Sequence, residues 1–454
     1  MKHLKTQILN GLRDYYKSEH DASLDNKNLY RFLGYWIHTI SIIYMDRIEG
    51  TSIIGLESSN IEIANDLTGF MELAGTDEKW NKTIISGNLL KSQEINKIQL
   101  PTKNIFNRIF QYAPSIIIDY RLSYYEVLKK IISGFFPLKS KWFKCVPVFS
   151  VDMRQRLVLE SYLLKAGIDK RMANIFSMSV PRIYIEGFDY YSDLYGGVCS
   201  KTKHIITSYS HFHSADFLYI SLFFKDLKIT IIEHGLESLN YNNGTFDFEY
   251  DICDEFYGNS NNRLHLSKYS KINKRKFEKL YTKKNNYKSN VCLIVNVTMP
   301  KYLLDFRSMP NTHDFKDYML EVNKTTSVLD VHFDVMMKNY PTNQGWTDAE
   351  LSTFGNWNYT KLNLKNIIKK SNIICVTYPG SLFFDCILNN LRTILVWDYN
   401  KYSLKDTEFQ KILIDEKILF ASSIQLEIYI KDSELLNFGI INPKLKKFVS
   451  ENYQ

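Results

Sequence analysis

Apolar positions in the first third of the chain recur every three to four residues, the spacing of a helix that buries one face. This pattern predicts helices over Leu4–Tyr16, Leu29–Tyr44, Asn60–Leu73 and Tyr124–Ile132, with a short turn at Glu94–Ile98. From Pro147 the texture changes. A helical pattern over Arg154–Ala166 gives way to short β-branched or aromatic runs at Arg182–Ile185, His204–Thr207 and Ile229–Ile232, with a helix around Phe212–Phe224 between the last two. Strands alternating with helices predict a parallel sheet with crossover helices. After the basic segment Lys268–Lys288 a second series begins. Its strands are Val291–Val297, Val331–Lys338, Ile373–Thr377 and Thr393–Trp397, with helices at Asp314–Val322, Leu362–Lys370 and Ser381–Leu388. The carboxy-terminal Ile424–Gln454 reads as helical, with a return across the first domain as one placement. The expected fold class is therefore α/β, with two Rossmann-like domains and a helical N-terminal region. The boundaries are 1–285 for the helical region plus first domain, 286–430 for the second domain and 431–454 for a C-terminal helix.

Composition changes this picture little. A chain of 454 residues exceeds what one core serves, and 45% hydrophobic with 23% charged residues is the globular range. No run approaches the roughly 18 apolar residues of a membrane span, and the amino-terminal residues lead into polar sequence, so a cytoplasmic location is expected. The six cysteines stand singly, without the paired spacing of a metal knuckle, and read as reduced, mostly buried thiols. Most aromatic residues are assigned to core packing. The net charge of +8 concentrates in Lys268–Lys288, which reads as a solvated face or as a peripheral contact with the inner face of a membrane. Nucleic acid is not an expected partner, because neither a recognition helix nor Gly-flanked aromatics on strands are found.

Chemistry is sought after each expected strand, because ligands of open α/β sheets bind beyond the carboxyl ends of the strands. Glu233-His234-Gly235 follows Ile229–Ile232 and offers two groups able to take a proton, with a glycine that permits close backbone approach. Thr377-Tyr378-Pro379-Gly380-Ser381 follows Ile373–Thr377, with Ser381 placed as the N-cap of a helix whose N–H groups suit a phosphate. Asp385, one turn inside that helix, could meet a ribose or brace the loop. Lys338 and Tyr340 follow Val331–Met336, where the lysine could neutralise a nucleotide phosphate and Tyr340 or Trp346 could stack on a base; a surface lysine and a core tryptophan are equally open readings. Ser208, Ser210, His211 and Asp216 form a polar stretch after His204–Thr207 and are candidates for acceptor contact. The His211/His213 spacing lacks a third ligand, so no metal is assigned.

Tyr30-Arg31-Phe32-Leu33-Gly34-Tyr35-Trp36 with Tyr44-Met45-Asp46-Arg47 resembles the opening of a family of bacterial surface-carbohydrate transferases first named from a spirochaete locus. Ile205-Ile206-Thr207-Ser208, Ala215-Asp216-Phe217, Glu233-His234-Gly235, Asp254-Glu255-Phe256-Tyr257, Lys338-Asn339-Tyr340-Pro341 with Gly345-Trp346, and Thr377-Tyr378-Pro379-Gly380-Ser381 match its blocks in order. The last loop is also similar to the phosphate-binding loops of capsule and teichoic-acid type transferases of GT-B form. The chain departs from the family pattern in Glu233 where glutamine is usual, and in Lys338 where arginine is usual. The resemblance implies a GT-B-like fold with a cleft between the domains. It implies a glycosyltransferase that takes a nucleotide-sugar donor as co-substrate, needs no further cofactor, and uses a glycan or lipid-linked acceptor. A nonulosonic acid from a CMP-activated donor is one candidate sugar. His234 or Glu233 would be the base, and Thr377, Gly380, Ser381 and Lys338 would meet the leaving phosphate. A polyol-phosphate transferase of teichoic-acid type and a non-catalytic scaffold of a glycan assembly complex are the alternatives.

Overall fold

The computed structural model describes residues 2–48, 58–77, 79–81, 89–92, 115–118, 130–138, 148–196, 201–208, 210–212, 214–224, 226–233, 244–258, 266–271, 290–297, 315–340, 346–355, 357–404, 406–432 and 438–453. The chain forms two compact units, one taking in Met1–Ile232 and Asp247–Phe256, the other Tyr257–Lys301 and Arg307–Gln454. The sequence-expected boundary at 285 lies outside the described residues, as do the turn at 94–98 and residues 124–129.

In the first unit, helix α1 (Lys2–His20) buries Ile8, Leu12, Tyr15 and Tyr16, and α2 (Asn26–Ile48) buries Leu29, Phe32, Leu33, Trp36, Ile37 and Ile40. Both sets follow the helical spacing that predicts them. The stretch expected as one helix over 60–73 is instead strand β1 (Ser58–Ile61) followed by α3 (Leu67–Thr76). Asp66 sets that start, because its side chain accepts from the Gly69 N–H and caps the helix. β1 pairs in parallel with β2 (Leu89–Ser92). Strands β3 (Ser115–Ile118), β4 (Phe135–Leu138), β5 (His204–Thr207), β6 (Lys228–Ile232), β7 (Glu255–Gly258) and β8 (Tyr269–Lys271), the last from the stretch Tyr257–Lys301, form one sheet in the order β4-β3-β5-β6-β7-β8. The pairs β3/β4, β3/β5 and β5/β6 run parallel. The longer helices that follow are α4 (Met153–Lys165), α5 (Lys170–Ser179), α6 (Ala215–Phe223) and α7 (Gly244–Ile252). Asp152, Asp169 and Ser214 cap α4, α5 and α6 through side-chain oxygens.

Arg182–Ile185, expected as a strand, is a turn of 3₁₀ helix over Arg182–Tyr184. Its N–H groups find partners outside any ladder: Arg182 and Ile183 donate to the carbonyls of Ala64 and Asn65, and the Arg182 guanidinium donates to the Phe149 carbonyl at 2.8 Å. A short apolar run buried on every side carries no periodicity that separates the two conformations. The aromatic residues here do pack in the core. Tyr191 stacks on Tyr219 at 4.3 Å between ring centroids, and Phe32, Phe188 and Tyr16 close around them.

The second unit is a doubly wound sheet. Strands β9 (Val291–Val297), β10 (Asp334–Tyr340), β11 (Ile373–Val376), β12 (Thr393–Val396) and β13 (Leu419–Phe420) pair in parallel in the order β10-β9-β11-β12-β13. The chain winds outward from β9 to β10, then crosses back and winds the other way from β11 to β13, so right-handed crossovers put their helices on opposite faces. Side-chain alternation agrees. Leu293, Val295, Ile374, Val376 and Leu395 pack with Phe383 and Phe384 of α10 (Ser381–Leu388), Phe409 of α11 (Thr407–Asp415) and Leu445 and Val449 of α13 (Pro443–Tyr453). Cys292, Ile294, Ile373, Cys375 and Ile394 pack on the other face with Val322 and Leu329 of α8 (Phe315–Asp330) and Leu426 and Ile430 of α12 (Ser423–Asp432). Helix α9 (Leu364–Ile368) precedes β11. The continuous apolar runs of β9, β11 and β12 reflect burial on both faces. Helix α13 belongs to this core. Cys253, Cys292, Cys375 and Cys386 are buried and in no disulfide, and no helix among the described residues is long and apolar enough to cross a membrane.

Candidate functional site

The strand order of the second unit reverses between β9 and β11, and the helices that follow them, α8 and α10, lie on opposite faces of the sheet, the place where ligands of open α/β sheets bind. Three side chains meet at that point. Asn296, the one polar residue within β9, and Thr377, directly after β11, project from the same sheet face as Ile294 and Cys375, and α8 lies over that face. Tyr318, in the first turn of α8, donates to Asn296 Oδ1 at 2.7 Å, and its oxygen lies 2.6 Å from Thr377 Oγ1. Thr377 also reaches Asn296 Oδ1 at 3.1 Å. Burial pushes the Tyr318 phenol above its ordinary pKa, so it acts as a neutral hydroxyl.

Tyr318 and Thr377 of this network line a cavity of about 380 Å³. Opposite them, Trp397 and Asp398 follow β12, Ala421 and Ser422 follow β13, and Lys401 and Tyr402 come from the loop between. The loop is held by its own chemistry. The Asp398 side chain accepts from the Asn400 and Lys401 N–H groups, and the Trp397 indole donates to the Tyr402 carbonyl at 2.8 Å. Asp317, Glu321 and Lys324 line the α8 side. Glu321 accepts from the Ser423 N–H, so the amino end of α12 is already occupied by a carboxylate. The cavity thus presents carboxylates, two lysines, hydroxyls and three aromatic rings at the carboxyl edge of one parallel sheet.

The loop Thr377-Tyr378-Pro379-Gly380-Ser381 lies where the sequence places it. Its cap differs: the N-cap of α10 is Gly380, in an extended conformation without a side-chain bond, and Ser381 is the first helical residue. The first N–H groups of α10 are therefore not occupied by the Ser381 hydroxyl in an N-cap bond. Tyr378 packs edge-on against Trp397 at 5.7 Å, which ties the loop to the cavity wall. Asp385 is half-buried in α10, and its carbonyl accepts from Asn389.

Lys338 lies inside β10, opposite Val295, rather than in the loop after the strand. The strand begins at Asp334 because 331–333 are a turn, so Lys338 shares the face of Met336 and α10, while the Tyr318 network occupies the other face. Trp346 is a core residue, packed near Met319 and Leu351 and edge-on to Phe354. The Tyr340 side chain lies outside the described set.

In the first unit the polar residues after β5 are buried. Ser208, Ser210 and His211 are inaccessible, and His211 Nε2 lies 2.9 Å from Glu249 Oε1. Tyr195 donates to Asp216, whose carboxyl burial pushes up to about 6. Glu233, after β6, is buried, and its N–H donates to the Tyr257 carbonyl at 2.8 Å. His234 and Gly235 lie outside the described residues, as does His213. Among the described residues no cluster has the composition of a metal site.

Asn296, Tyr318, Glu321, Asp398, Lys401 and Ser422 escape motif reading. One signal was available: asparagine at the sixth position of the otherwise apolar Val291–Val297.

The sequence model of the LIC12162 family transferase matches residues 2–427. No curated protein matches the chain. Among solved structures, S. aureus MnaA in complex with UDP is similar at 11% identity over 74% of this chain and 90% of that one, with a TM-score of 0.38. The wall teichoic acid polymerase TagF is similar at 9% identity over 78% and 86%, with a TM-score of 0.33. UGT89C1 of Arabidopsis thaliana is similar at 8% identity over 76% and 79%, with a TM-score of 0.27.

Proposed function

The chain belongs to the LIC12162 family of transferases, and we propose that the group it moves is a sugar, from a nucleotide-activated donor to a bacterial surface glycan or lipid-linked acceptor. The observation that supports this reading is the cavity at the strand-order reversal, walled by Tyr318 and Thr377. Crevices of that kind in open α/β sheets hold nucleotides. Trp397 or Tyr402 would stack on the base, the carboxylates of Asp317 and Asp398 would accept from ribose hydroxyls, and Lys401 would face phosphate. The first N–H groups of α10, those of Ser381 and Leu382, suit the leaving phosphate, with Gly380 allowing close approach and Thr377 and Lys338 as further contacts.

In the transfer, the acceptor hydroxyl oxygen forms a bond to the anomeric carbon as the bond from that carbon to the phosphate oxygen breaks. The acceptor proton passes to His234 or Glu233 and the nucleotide leaves with the electron pair. A nonulosonic acid carried by CMP is the donor this reading favours, and a polyol phosphate carried by CDP is its competitor.

Calorimetry with CMP, UDP, GDP and CDP, followed by turnover with the matching sugar, tests the proposal. One nucleotide should bind, and His234→Ala should abolish transfer while leaving that binding intact. Failure of every nucleotide to bind overturns the reading in favour of a scaffold. Turnover with a polyol phosphate and none with any sugar replaces the donor class.

A further inference from the structure

We propose that the turn Lys130–Phe136 is a membrane-docking tip that inserts isoleucine and phenylalanine side chains into the interface of an anionic lipid bilayer. The chain there ends a helical turn at Ile132 and reverses at Gly134, which has φ +89° and donates its N–H to the Ile131 carbonyl at 2.9 Å. It then enters β4, the terminal strand of its sheet. This reversal sets apolar side chains in water. Ile132 is 84% exposed, the most exposed large hydrophobic residue described, and Ile131 and Phe136 flank it at 41% and 42%. Nothing within 4 Å would meet a Cβ on Gly134, so the tip stands clear of its neighbours.

Charge selects the occupant. Between Val127 and Val151 the sequence carries five lysines (Lys129, Lys130, Lys139, Lys141 and Lys144) and no acidic residue. Lys130 lies 5.1 Å from the centre of the Phe135 ring, at the base of the tip. Apolar residues at a turn within an all-basic segment match the two terms of interfacial binding, burial of apolar surface below the headgroups and attraction to anionic lipid. Lysines alone would serve any polyanion; the exposed isoleucines favour lipid. This tip is distinct from the basic segment Lys268–Lys288 and is independent of the donor assignment, so its failure leaves that assignment standing.

The test uses the full chain and vesicles of phosphatidylcholine with or without phosphatidylglycerol. Co-sedimentation should require the anionic lipid and weaken as salt rises, and Ile132→Glu should lower the partition coefficient about tenfold or more, the change expected for losing one buried aliphatic side chain. Because Ile132 is exposed, the thermal midpoint of that variant should match the parent and exclude misfolding. Absence of binding to anionic vesicles at low salt overturns the proposal, as does equal binding by Ile132→Glu. A dimer that Ile132→Glu dissociates, without vesicle binding, would assign the tip to a second copy of the chain instead.

Discussion

Tyr318 and Thr377 are 59 residues apart in sequence, and their hydroxyl oxygens lie 2.6 Å apart where the strand order of the second sheet reverses. The contact joins the first turn of α8 to the end of β11, so one hydroxyl links both halves of the crossover to the cavity. Tyr318→Phe removes the donor to Asn296 and leaves the ring in place. It should cost about 1–2 kcal/mol of unfolding free energy, the usual consequence of leaving buried polar partners short of a hydrogen bond. It should also weaken binding of the nucleotide that the parent selects. Urea unfolding and calorimetry read the two effects, and unchanged affinity would remove Tyr318 from the ligand wall.

Lys401 lies in the exposed loop between β12 and β13 and lines the cavity with Asp398. Lys401→Ala should lower nucleotide affinity about fivefold to tenfold while shifting stability by less than about 0.5 kcal/mol, because it deletes a surface charge and no core contact. The loss should be larger for a nucleotide than for the corresponding nucleoside. Equal losses for both would place Lys401 away from phosphate.

Elements with their own chemical punctuation were legible in the sequence. His204–Thr207, Val291–Val297 and Ser381–Leu388 form where apolar runs and turn residues put them. Arg182–Ile185 was not legible, because the carbonyls of Ala64 and Asn65 that satisfy its backbone come from a segment more than a hundred residues earlier. The site divides in the same way. The Thr377–Ser381 loop announces itself locally, whereas Tyr318 sits on a helix surface and acquires its role when the crossover lays it over Asn296. Lys338 shows the converse. The strand runs on to Tyr340, past the point where the sequence ends it, and so keeps the lysine inside the sheet, on the face opposite Tyr318. His234, the expected base, lies outside the described residues.

Asp216 makes stability depend on pH. Its folded carboxyl titrates near 6 against an ordinary 3.8, with burial as the cause and the Tyr195 hydrogen bond opposing it. The folded state therefore holds the proton more tightly than the unfolded chain. The contribution is fully present below about pH 3.8 and is lost as pH rises through about 6; the two values correspond to about 3 kcal/mol. Asp216→Asn should flatten the stability profile between pH 4 and 6 by an amount on that order. Unfolding curves at a series of pH values measure it, and a slope identical to the parent would show that Asp216 titrates normally.

His211 and Glu249 test whether the polar stretch after β5 serves structure or acceptor binding. Both side chains are buried, and Nε2 lies 2.9 Å from Oε1. Removing the imidazole takes from the buried Glu249 carboxyl its hydrogen-bond partner at 2.9 Å, and a buried polar group deprived of a partner typically costs about 1–3 kcal/mol. His211→Ala should therefore lower the unfolding free energy by about that amount, and His211→Gln, which can still donate to Glu249, should restore most of it. An acceptor contact would behave differently, because a residue that only meets substrate raises KM and leaves stability alone. Chemical denaturation of the two variants, alongside KM for the acceptor, separates the roles. A stable His211→Ala protein with a raised KM would move His211 from the core into the acceptor site.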